Sequence, residues 1–186
     1  LLLRGAWVTT YLSVLSMLLA IILGLPIALA RLFGSFPLRW AAVAYVEFFR
    51  GIPILLLLFF LYYGLPTIAD AYGLPFSLRL SPITAAIVGF GLNYAAYEAE
   101  IYRAGIRSIP SGQWEAAASL GMGRILTFRR IILPQAIRVI LPPMTNDFIA
   151  LFKDTSIVSI VAVVELTKQY QILAKSSLKY LEIGLA

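Results

Sequence analysis

The 186-residue chain contains no cysteine and no histidine, and only 13% of its residues are charged. Without cysteine, disulfides and thiolate metal sites are excluded, and the redox compartment leaves no mark on the sequence. Without histidine, the commonest general base and the commonest metal ligand are gone, so no metal site is expected. No phosphate-cradling glycine loop with its lysine is present either. Soluble domains average about 25% charged and about 45–50% apolar residues. Here 61% are apolar and the mean hydropathy is +0.89. A soluble fold of this size cannot hide that much apolar surface, so lipid is the solvent that suits it. The net charge of +6 does not point to nucleic acid, because the basic residues sit at the ends of apolar runs. That placement fits cytoplasmic loops facing anionic headgroups.

What is present is a series of apolar runs, each close to the 20 or so residues that cross a bilayer as helix. The first extends from about Trp7 to Ala30, with Trp7 and Tyr11 suited to an interfacial belt and Gly24 and Pro26 as kink candidates. Its length and its arginines do not fit a cleaved signal peptide. The second extends from about Trp40 to Tyr63 and contains Glu47, Arg50, Gly51 and Pro53. Either one long helix is broken at Gly51–Pro53, or an interfacial helix precedes a short span. Tyr62-Tyr63-Gly64-Leu65-Pro66 is expected to close it. A loop from Thr67 to Ser81 holds Asp70, Gly73, Pro75 and Arg79. The third span is expected at 82–103 and the fourth at 133–152, with Pro134, Pro142 and Pro143 in its first half. A fifth would start near Tyr180 and be mostly absent, as in a domain cut from a longer protein. The fold class is therefore an all-α membrane protein forming a single transmembrane domain over 1–186.

Arginines mark the cytoplasmic side in short loops. Arg31 and Arg39 link spans one and two, and Arg103, Arg107, Arg124, Arg129 and Arg130 link spans three and four. Both links fall on one side by parity. This puts the start of the chain outside and the 108–130 segment in the cytoplasm. Lys153, Lys168, Lys175 and Lys179 fall on the outer side, in a long segment where charges count less.

In that cytoplasmic segment, Pro110 and Ser111 form a helix start with Ser111 as N-cap. Ala116, Ala117, Ala118 and Gly121 give a surface almost free of side-chain bulk, on which another backbone could come close. An interfacial helix kept small only for compactness would look the same. The longer spacing decides between them. Glu115-Ala116-Ala117, then Gly121, then Ile131, Leu133 and Pro134 resembles the EAA signature of bacterial ABC importer permeases. Arg50-Gly51-Ile52-Pro53, Ala99-Glu100-Ile101-Tyr102-Arg103, Gly105-Ile106, Ile109–Gln113 and Lys153-Asp154-Thr155-Ser156 are similar to the polar amino acid branch of that family. Ile52 departs from the small polar residue, often threonine, common at its position.

The resemblance implies a five-helix type I transmembrane domain. It implies that the Glu115–Gly121 helix, with Ala116, Ala117 and Arg124, couples to a cytoplasmic ATPase subunit. It further implies a second permease subunit, identical or related, and an extracytoplasmic solute-binding protein or domain. ATP and magnesium belong to the partner, so this chain binds no cofactor and is not itself an enzyme. The cargo implied is a polar L-amino acid, such as glutamine or a basic one, crossing the bacterial inner membrane. The alternatives are another small solute for the same family, or an ATP-independent secondary transporter.

Charges inside spans are costly and usually functional. Asn146 and Asp147 lie after two prolines that donate no N–H, and either line a pocket for a substrate ammonium or sit at the water boundary. Arg50 precedes the Gly51–Pro53 break. It could hold a carboxylate with the following half-helix N-terminus, or snorkel to headgroups. Tyr97 either packs or faces the pathway. Glu98, Glu100 and Arg103, at helical spacing, are expected to form a structural ion cluster near the gate.

Overall fold

The computed structural model describes residues 1–73, 79–178 and 180–185. Pro75 and Lys179 lie outside the described residues. Helix α1 (Leu2–Phe33) is followed by α2 (Phe36–Gly51), and α3 (Ile54–Phe59) continues through a π-helical turn (Phe60–Gly64) into α4 (Leu65–Ala71). After α5 (Pro82–Arg107) come the short α6 (Ser111–Ser119) and α7 (Arg124–Thr127). A second π-helical turn (Phe128–Ile132) joins α7 to α8 (Leu133–Asp154). A 3₁₀ turn (Thr155–Val161), α9 (Leu166–Ser177) and α10 (Tyr180–Gly184) complete the described chain.

Many large apolar residues face outward, although Leu12, Met17, Leu58 and Phe90 form part of a buried core. On α1, Leu3, Trp7, Tyr11, Val14, Leu18, Ile22 and Leu25 are exposed. The opposite face, with Gly5, Thr9, Ser13, Ser16, Ala20, Gly24 and Ala28, is buried, mostly against α5. Lipid tails are as apolar as leucine, so membrane helices associate through close backbone packing of small residues. Gly24 shows the mechanism: a Cβ there would stand 2.9 Å from the Glu98 Cβ and 3.1 Å from the Ala95 carbonyl. α1 runs unbroken through Gly24 and Pro26, and the glycine serves contact with α5. α5 is the central helix, touched by α1, α2, α3 and α8.

Two expectations change. Of the two readings for the second run, the structure takes separate helices: α2 ends at Gly51, and a new helix covers Ile54–Ala71, 18 residues with mean hydropathy 1.8. Tyr62–Pro66 does not close it. A π turn ends two residues before Pro66, and another ends two residues before Pro134. A proline ring clashes with the carbonyl four residues earlier, and the wider turn relieves that clash while the helix continues. The expected Thr67–Ser81 loop thus begins as helix as far as Ala71.

The two arginine-bearing links lie together at one end of the bundle. Arg31 on α1 pairs with Glu100 on α5, Arg39 Nε donates to the Arg31 carbonyl (3.2 Å), and Phe33 meets Phe128 edge-on with centroids 6.3 Å apart. At the other end, α9 is fastened to the start of α1. The Leu166 N–H donates to Thr9 Oγ1 (3.2 Å), and Gly5 lets the backbone of Leu166 approach.

Candidate transport pathway and coupling segment

The break between α2 and α3 opens onto a cavity of about 500 Å³ between α2, α3, α5 and α8. Its polar wall is formed by Arg50, Asn93, Tyr94, Tyr97, Asp147 and Asp154. The last four carbonyls of a helix have no partner inside it. Here the Ile52 N–H takes the Phe48 carbonyl (3.2 Å) and Asn93 Nδ2 donates to the Phe49 carbonyl (2.6 Å). Asn93 therefore ties the break to the central helix. α3 starts from Pro53, whose carbonyl accepts the Leu57 N–H (3.2 Å), so the N–H groups of Ile54, Leu55 and Leu56 precede the first helical bond. The break thus presents helix-start donors beside the Arg50 guanidinium.

Arg50 Cζ lies 5.2 Å from the Tyr97 ring centroid, a cation–π distance that holds the guanidinium at the cavity rather than extended away. Tyr94 stands beside Tyr97, with centroids 6.0 Å apart, and its hydroxyl donates to Asp154 Oδ2 (2.8 Å). Asp147 Oδ2 is buried without a hydrogen-bond partner. Of the residues singled out from sequence, Arg50, Tyr97 and Asp147 come together here. Asn146 does not line the cavity and is exposed, because one residue turns about 100° around α8. Tyr94, which the sequence offers with Tyr97 as a packing or pore-facing residue, also lines the cavity, and Asn93 and Asp154 were missed. Their signal was the helical row 94, 97 on α5 facing 147, 154 on α8.

The expected Glu98–Glu100–Arg103 cluster is corrected. Glu100 and Arg103 pair, and the third member is Arg31 from α1. Glu98 is two residues, about 200°, away around α5. It is 0% exposed, and neither carboxylate oxygen has a hydrogen-bond partner.

In the 108–130 segment, Ser111 is the first residue of α6 rather than its N-cap, and Pro110 takes the cap position. The C-terminal end explains the glycine. The Met122 N–H reaches the Ala117 carbonyl (3.0 Å) and the Gly121 N–H reaches the Ala118 carbonyl (2.9 Å). This is a Schellman closure, with Gly121 at φ +75°, the left-handed region. Ala117 is buried beneath the helix, while Glu115, Ala116 and Gly121 are exposed. Trp114 stacks on Phe128 (6.5 Å), and Gln135 Nε2 donates to Gln113 Oε1 (3.4 Å), so α6 is fixed to the foot of α8. Arg124 heads a helical run that continues unbroken from 124 to 154.

The profile of the family described as "Binding-protein-dependent transport system inner membrane component" matches residues 16–178. The chain belongs to this family, the permease subunits of ABC importers. It is 43% identical over 178 residues to a probable amino-acid ABC transporter permease, YckA, of Bacillus subtilis, covering 96% of this chain and 75% of that protein. It is 44% identical to the L-cystine transport permease TcyB of the same organism, covering 90% of this chain and 68% of that one. To the glutamine transport permease GlnP of Escherichia coli it is 39% identical, over 98% and 81%. Its fold superposes on the crystal structure of an amino acid ABC transporter with a TM-score of 0.86 at 35% identity, covering 99% of this chain and 82% of that one. The inward-facing methionine transporter MetNI shares the fold, with a TM-score of 0.73 at 24% identity over 94% and 80%. The chain is thus a membrane protein, and the all-helical type I reading holds.

Proposed function

We propose that this permease subunit imports a polar L-amino acid through the cavity at the α2–α3 break. The observation that carries the reading is the pairing of Arg50 and the α3 start on one wall with Asp147 on another. An amino acid zwitterion needs both signs: its carboxylate meets Arg50 and the free N–H groups, and its ammonium meets Asp147. The amino-acid relatives support that cargo class. The subunit spans the inner membrane several times, with its start outside and α6 in the cytoplasm; the gathering of both arginine-rich links at one end supports this orientation. There α6 meets the ATPase through Glu115, Ala116 and Gly121. ATP and magnesium stay on that partner, and this chain moves substrate without catalysing a reaction. A second permease subunit completes the pathway, and a binding protein delivers the cargo.

The test is uptake by the complete transporter in vesicles. ATP-dependent amino acid uptake that falls with Asp147→Ala, while the complex still assembles, is the expected result. Uptake without nucleotide or ATPase would replace this reading with a secondary transporter. Tight binding of a non-amino-acid solute by the cognate binding protein would replace the cargo class.

A further inference from the structure

Between α5 and α8 the structure buries the carboxyl groups of Glu98 and Asp147, and Asp147 shares its cavity with Arg50. The register follows from two tyrosine contacts. Tyr94 Oη donates to Asp154 Oδ2 (2.8 Å), and Tyr102 Oη points at Met144 Sδ (3.7 Å). The helices are antiparallel, so Glu98, midway between the tyrosines on the same face of α5, stands opposite the stretch of α8 that carries Asp147. Both residues have buried carboxylate oxygens without a hydrogen-bond partner, and Glu98 is 0% exposed. Gly24 of α1 closes over the Glu98 side chain from behind. Arg31 and Arg103 pair with Glu100, and Arg50, over Tyr97, stands at the cavity with Asp147, so none of the three is paired with Glu98.

Buried charges are paired or they neutralise, because an isolated carboxylate in an apolar site is very costly. In the cavity, a zwitterion's carboxylate and ammonium are matched by Arg50 and Asp147. Asp154 is held by the Tyr94 hydroxyl, and Glu98, beside the cavity but not in its lining, is left without a cation. A neutral amino acid cannot match it, whereas one with a cationic side chain can.

We propose that Glu98 is the receptor for the side-chain cation of a basic amino acid, with Asp147 holding the α-ammonium, so that this permease selects ammonium- or guanidinium-bearing cargo. The inference rests on the cavity being the substrate site. Glu98 lies about one helical turn from Tyr94 toward the arginine-rich end. The side chain therefore meets it as the α5–α8 seam parts.

The purified permease–ATPase complex, without the binding protein, is titrated with L-arginine, L-lysine and L-glutamine. Arginine and lysine are expected to bind at least about tenfold tighter than glutamine, a difference of about 1.4 kcal/mol. Glu98→Gln, nearly isosteric, is expected to erase that preference by weakening arginine and lysine binding about tenfold. Asp147→Ala weakens all three. Equal binding of the three ligands, or a preference that survives Glu98→Gln, overturns the inference; if Asp147→Ala still weakens binding, the cavity reading stands. Binding that Asp147→Ala does not affect, or no binding of any amino acid, overturns both. Should Glu98→Gln fail to assemble, the wild-type ratio of arginine to glutamine affinity decides alone.

Discussion

Glu98 and Glu100 are two residues apart on the same helix and have opposite surroundings. Glu100 accepts from Arg31 across to α1 and from Arg103 on its own helix, at the end where α6 is attached. Around it the polar groups find partners: Gln113 with Gln135, Arg39 with a carbonyl, and the end of α6 with its own amides. Glu98 and Asp147, deeper in the bundle, keep oxygens without partners. A region whose polar groups are satisfied resists rearrangement, and a region with unmet groups is available to a ligand. The base of the bundle is thus a network of satisfied polar groups, and its middle holds polar groups open to a new partner.

The comparison breaks most visibly if the base is loaded from outside. Ala116→Trp puts a large ring on the exposed face of α6 without disturbing its backbone. ATP-coupled uptake should vanish and co-purification of the ATPase should drop, while the permease remains folded; retained coupled uptake would remove α6 from the interface. In the middle, Asp147→Ala should lower uptake at least about tenfold, or about 1.4 kcal/mol, with assembly unchanged. Normal uptake would show that the unmatched oxygen has no role in the cargo's path. At the base, Glu100→Ala leaves two partly buried arginines without their shared acceptor. The loss should be about 1–3 kcal/mol, read as a lower melting temperature of the complex, with substrate affinity unchanged. A stable variant with altered affinity would reverse the roles assigned to the two glutamates.

The division was half visible in the sequence. Apolar content and arginine placement indicate the bundle and the end where its arginine-bearing links gather, because lipid and headgroups act on composition. The Glu115–Pro134 spacing indicates α6 and its end, because a short helix with a glycine stop is a local pattern. The ion cluster was misread because i,i+3 spacing shows neighbours on one helix only. Arg31, 69 residues from Glu100, is brought in by α1 packing through Gly24. Similarly, Asn146 and Asp147 are adjacent in the chain but face different surroundings, which depends on how α8 is rotated against α5. The π turns before Pro66 and Pro134 were missed because proline normally reads as a stop.

The smallest effect separates two reasons for Gly121, its conformation and its lack of bulk. A Cβ at Gly121 would meet nothing within 4 Å on this chain, so space inside the subunit does not require glycine. Its φ of +75° does favour glycine, since an ordinary side chain in the left-handed region costs about 1–2 kcal/mol. Gly121→Ala should therefore loosen only the end of α6, speeding amide exchange at Gly121 and Met122 about tenfold without moving the melting temperature. Asparagine tolerates the left-handed region better than alanine does. If conformation is the reason, Gly121→Asn restores both the exchange protection and most of the coupled uptake lost in Gly121→Ala. If close approach of the ATPase is the reason, Gly121→Asn protects the amides yet couples worse than Gly121→Ala, because its side chain is larger. The two readouts move together in the first case and apart in the second, and that divides a stop built for this helix from a surface built for its partner.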